Sequence, residues 1–167
     1  MSGDAELVAA FETGRVAAGR DGFHHADHMH VAWTYLGRLP LLSAAETFVT
    51  NLKRFAAAQG KPERYHETIS LAYLLMIHDR IVARGRGATW DDFAEANPDL
   101  LVWRPPILTR FYSQELLDSD RARRHFVWPD LGTFAAFCDQ RIDRDTPLYS
   151  SLSVTTGSTR VARRPGT

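Results

Sequence analysis

Four of the seven histidines in this 167-residue chain fall within seven positions: His24, His25, His28 and His30, with Asp27 among them. Imidazole is both a common metal ligand and the side chain that titrates nearest neutrality. On a helix each position turns by about 100°. Val31, Ala32, Tyr35 and Leu36 set an inward face. His28 falls in the middle of that face, His24 and His25 flank it one turn earlier, Asp27 lies at its edge, and His30 points to the surface. Spacings of three and four residues put helical side chains within reach of one ion. One inward histidine is most often a satisfied core residue. Three on one face would leave several buried polar groups in need of a shared partner, so the group reads as a metal or catalytic site.

The second signal is Tyr65-His66-Glu67-Thr68. Glu67 shares a face with Leu71, Leu74, Leu75, His78 and Val82, while Ile69, Tyr73, Ile77 and Ile81 form another. Such a helix is apolar nearly all round and belongs at the centre of a bundle. A glutamate on its inward face is seldom there for packing. His66 lies on the opposite apolar flank.

The elements that must position these groups are helices. The pattern predicts a first helix from Ser2 or Asp4 to Phe11, a loop over 14–22, and a second helix over about 24–36 stopped by Gly37, with Pro40 beyond it. A third starts at Ser43, with Glu46 completing a capping box, and ends at Gly60. A long fourth runs over about 64–83 to the Gly85-Arg86-Gly87 stop. Short connections make neighbouring helices antiparallel. The second and fourth then point the same way, and His24, His25 and His28 meet His66 and Glu67 at one end of an up-down-up bundle. Further short helices follow: Thr89 with Asp92 opens one to Ala96, then come 107–117, 120–127 capped by Ser119, and 133–141. Trp103, Phe111, Tyr112, Phe126 and Trp128 read as the second half of the core, or as the lining of a pocket over the bundle end. Residues 1–144 are read as one all-α domain, and 145–167, rich in Ser and Thr, as a mostly flexible tail.

Composition sets the outer bounds. Apolar residues make up 44% and charged residues 24%, as in ordinary globular proteins. Twenty basic and twenty acidic residues give a net charge of zero, which argues against general nucleic-acid binding. No apolar run approaches the ~20 residues of a membrane helix, and no signal peptide is readable, so a cytoplasmic location is the expectation. The single cysteine, Cys138, sits among Phe134, Ala135 and Phe137 and reads as a buried structural thiol. The Arg121–Arg124 run and the tail arginines read as a solvated face.

Phe23-His24-His25-Ala26-Asp27-His28 and Tyr65-His66-Glu67-Thr68-Ile69 resemble an F-x-H-x-D-H and Y-H-E-T pair found in a bacterial all-α family. That likeness would cover about residues 5–131 and carries over no activity. The arrangement is also similar in kind to the DinB/YfiT metal-binding bundles, which use three histidines from two helices and keep coordination positions open. The His78-Asp79 doublet is similar to the metal pair of HD phosphohydrolases. However, His78 lies roughly 16 Å along the axis from Glu67 at 1.5 Å per residue. The plainer reading is a buried His78 with an exposed Asp79–Arg80 pair.

The first expectation is therefore a metal-dependent enzyme of hydrolase, lyase or non-haem oxygenase type. Its zinc or iron would be held by His24 or His25, by His28, and by His66 or Glu67. Glu67, if not a ligand, would be the general base on a metal-bound water, and Tyr65 or Tyr35 would orient a small-molecule substrate. The alternative is a non-catalytic helical module that binds a metal or small anion at the two helix N-termini. Glu67 and Asp27 tilt that choice towards a cation. A metal-free histidine cluster acting as a pH switch is the third reading.

Overall fold

A computed structural model describes residues 3–15, 22–85 and 87–132. The expected helix over 133–141, Cys138 and the tail lie outside those residues. Within them the protein is all-α: α1 Gly3–Thr13, α2 His25–Arg38, α3 Leu41–Ala58, α4 Glu67–Arg84, α5 Trp90–Ala96, α6 Pro98–Leu101, α7 Gln114–Asp118 and α8 Asp120–Arg124. Two 3₁₀ turns, Pro62–Arg64 and Ile107–Arg110, complete the order.

Local chemistry sets most of the boundaries. Thr89 and Asp92 form the expected capping box at α5, and the Ser113 and Ser119 hydroxyls accept from Leu116 N–H and Ala122 N–H to open α7 and α8. α3 ends in a Schellman motif. Gly60 takes φ +68°, its N–H donates to Ala57 O at 2.9 Å, and Lys61 N–H donates to Ala56 O at 2.9 Å.

Several expected boundaries move, among them the start of α4, now Glu67, and the end of α8, now Arg124. Gly37 lies inside the last turn of α2; the stop is Pro40, which holds Leu39 extended at φ −121° and ψ 154°. The same proline is the N-cap of α3, so Ser43 is already helical and no Ser43–Glu46 box forms. The expected helix over 107–117 is divided into a 3₁₀ turn and α7, because Ser113 caps a new start.

α1, α2 and α3 pack on one another, α4 packs on α2, α3 and α8, and α6 closes on α2. One cavity is lined by the first turns of α2 and α4 and the last turns of α3, while another is lined by the last turns of α2 and α4. The second and fourth helices therefore run the same way, with α3 opposed. Val31, Ala32, Tyr35 and Leu36 are all buried, as their spacing requires. On α4 the buried stripe is Tyr73, Ile77 and Ile81 with Leu74, whereas Val82 is 65% exposed. Phe11, fully buried, stacks on Phe23, Phe48 and Phe55 at 5.6–5.8 Å and ties α1 to the others.

One glycine is required by a close approach. Gly14 has φ +68°, and a Cβ there would lie 2.6 Å from Ala58 Cβ at the end of α3. Gly14→Ala combines a left-handed backbone with a clash against a side chain that cannot turn away. A loss of about 1–3 kcal/mol is expected in urea denaturation, set against about zero for Gly3→Ala, where the space is open.

Candidate functional site

The N-terminal ends of α2 and α4 open on one cavity of about 480 Å³. His24, His28, Tyr65 and His66 all line it, so the up-down-up topology does join the two histidine signals. Its walls are Phe23, Phe55, Leu52, Ile69 and Trp103, and Lys61, Arg64, Gln59 and Ser70 add polar groups. Among the described residues that line it there is no carboxylate.

Each histidine meets a different fate. His66 is the N-cap of α4, not part of its first turn. Its Nδ1 accepts from Ile69 N–H at 3.3 Å, so Nε2 carries the proton and donates to Leu117 O at 2.8 Å. Both nitrogens are thereby committed to backbone. His25 does not line the cavity; its Nε2 donates to Leu100 O at 2.8 Å, and its ring packs on Tyr73 and Trp103 at 4.8 and 5.1 Å. His24 is the N-cap of α2, where Asp27 Oδ2 accepts from His24 N–H at 2.8 Å. His30, expected at the surface, is instead partly buried. It lies flat on Trp90 at 4.2 Å and bonds Asp4 Oδ1 at 3.0 Å, linking α2 to α5 and α1.

His28 differs from the rest. Its ring sits among Phe11, Phe23 and Phe55 at 4.8–5.9 Å, and its Nδ1 is buried with no hydrogen-bond partner. Burial, reinforced by His25 and opposed by Asp27, pushes its pKa down to about 4. It is therefore a neutral imidazole at physiological pH. Burial lowers the pKa values of His25, His30 and His66 as well.

Glu67 does not share this cavity. Of the face expected to be inward Leu74 alone is fully buried, and Glu67 turns outwards into a neighbouring hollow of about 530 Å³ beside Lys53, Glu63 and Arg123. There it accepts from the Tyr65 hydroxyl at 2.8 Å and pairs with Lys53 Nζ at 3.2 Å. Burial and the Glu67 carboxylate raise the pKa of Tyr65 well above the ordinary tyrosine value. The two residues expected to act as base and orienting hydroxyl are bonded to each other. Tyr35 lies elsewhere: its hydroxyl donates to Glu12 at 2.8 Å and accepts from Asn51.

Among the described residues no three His, Cys, Asp or Glu side chains gather closely enough to hold a metal ion. The hydrogen bonds above give the reason: His25 and His66 face carbonyls, Asp27 caps a helix, and Glu67 lies beyond Tyr65. The donor set does not fit a bound ion as arranged. Beside the His78-Asp79 doublet, Arg80 is not the exposed residue expected, because its side chain is only 10% exposed. It makes a two-pronged bond to Asp99 at 2.6 and 2.7 Å and reaches Asn97 at 3.0 Å.

Lys61, Arg64, Phe55 and Phe23 also line the cavity, and no motif or periodic spacing marks them as lining. The connection from α3 to α4 must cross the end where α2 and α4 begin, so topology alone could have placed the two cations there. Of the five C-terminal aromatics, Trp103 is the one that lines the cavity, while Phe111 and Tyr112 are core. No helix among the described residues is long and apolar enough to cross a membrane. No family model, curated protein or solved structure matches this chain.

Proposed function

We propose that this chain is a helical module that binds a small molecule in the cavity between the N-terminal ends of α2 and α4. The cavity itself carries this reading: His28 lines it, and the Nδ1 of that ring is buried behind the wall with no partner. Buried polar atoms are nearly always satisfied, and leaving one bare costs about 1–3 kcal/mol. A volume of about 480 Å³ with mainly apolar walls suits a small organic compound. Binding is favoured over acid–base chemistry because an imidazole titrating near pH 4 is a weak base. Glu67 and Tyr65 are engaged elsewhere.

A metal-dependent reaction at the same histidines would require His25 to leave Leu100 and His66 to leave Leu117 and Ile69. Elemental analysis of the untagged protein separates the two readings. Stoichiometric zinc or iron that disappears in His28→Ala would favour the metal.

The binding reading is tested by thermal shift with a fragment panel. Hits should raise the Tm of the wild type and fail to raise that of Ile69→Trp and Leu52→Trp, each of which fills the cavity from a partly buried wall position. Equal stabilisation of wild type and both filled variants would overturn it.

A further inference from the structure

We infer that the ligand class of this cavity is a small organic carboxylic acid with an aromatic or aliphatic body. This rests on the binding reading above and specifies its chemistry. The chain is neutral overall, yet the described residues lining the cavity include Lys61 and Arg64 and no Asp or Glu. The two carboxylates that would repel an anion are turned away: Asp27 receives His24 N–H, and Glu67 lies between Lys53 and the Tyr65 hydroxyl. The first turns of α2, with 14 residues, and α4, with 18, both border the cavity. Each brings the positive end of a helix dipole to the same space.

The independent observation is His28. The residue lines the cavity, its Nδ1 is buried without a partner, and a neutral imidazole offers one N–H donor and one lone pair. An acid could seat its apolar body against Phe23, Phe55, Ile69 and Trp103. Its oxygens would then take the imidazole N–H and the cations at the α3–α4 connection. A cationic ligand would face two like charges and two helix N-termini. A neutral one would leave those groups unused.

The test uses matched sets on the full-length protein: phenyl, naphthyl and octyl bodies, each carrying a carboxylate, a primary amide or an amine. Dissociation constants are measured by titration calorimetry at low and high salt. Each acid should bind at least about tenfold more tightly than its amide, with the preference shrinking as salt rises. Lys61 and Arg64 are exposed, so the double variant K61A/R64A should fold as the wild type does. It should lose about tenfold in acid affinity and keep the amide affinity. Amides or amines that bind as tightly as the acids, or an acid preference that survives the double variant, would overturn this inference and leave the binding reading standing. If no member binds, both fall.

Discussion

Thr68→Val is expected to cost about 2–4 kcal/mol in urea denaturation with an unchanged m-value. The side chain is fully buried at 0% exposure in the first turn of α4. Its hydroxyl lies 2.8 Å from both Ala122 O and His125 O, which share its single proton, and it accepts from Val127 N–H at 3.1 Å. One hydroxyl thus fastens the end of α8 and the strand-like exit after it to the helix that carries His66. Valine keeps the volume and removes the donor and the acceptor together, leaving a buried N–H and two carbonyls without this partner. Thr68→Ser is the control. It keeps the hydroxyl and should lose only about 1 kcal/mol for the missing methyl group. A valine variant within 0.5 kcal/mol of wild type, as an order-of-magnitude threshold, would remove Thr68 from this role.

The second large effect is on pH dependence. His28 titrates near 4 in the folded protein against an ordinary value of 6.5. Above pH 6.5 it is neutral in both folded and unfolded chains and contributes no slope. Between pH 6.5 and 4 the unfolded chain takes up a proton that the folded one refuses, so stability falls as the pH falls, by roughly 3 kcal/mol in total. Below 4 both states are charged and this contribution levels off. The lowered values of His25, His30 and His66 add in the same direction. His28→Leu should reduce the acid-side loss. At pH 7 it should stay within about 1 kcal/mol of wild type, because it removes a buried nitrogen that has no partner to lose. Melts from pH 7.5 to 4.5 check this, and a variant with the wild-type slope would place the titration elsewhere.

The all-α fold and the meeting of His24, His28 and His66 were legible because they depend on strong signals: 3.6-residue periodicity, glycine and proline stops, and short connections that force antiparallel neighbours. Glu67 was not legible, and its helix shows why. α4 carries two apolar stripes, and periodicity cannot choose between them when both are apolar. Packing selects the Tyr73–Ile77–Ile81 stripe, and Glu67 then turns to Lys53. The sequence pattern places His66 inside the helix as a candidate ligand. A start at Glu67 makes it a cap instead, and capping consumes both nitrogens. His30 was read from its own helix alone, whereas Trp90 arrives from a distant element to cover it. Lys61 and Arg64 belong to no periodic pattern, and only the three-dimensional path of the α3–α4 connection gives them meaning.

A ligand that enters this cavity meets His28. Nitrogen-15 spectra of the histidine imidazoles, recorded with and without the tightest binder from the matched panel, address it directly. The His28 nitrogens should shift on binding while those of His66, already bonded to Leu117 and Ile69, stay in place. Saturable binding that leaves the His28 signals unmoved would contradict it.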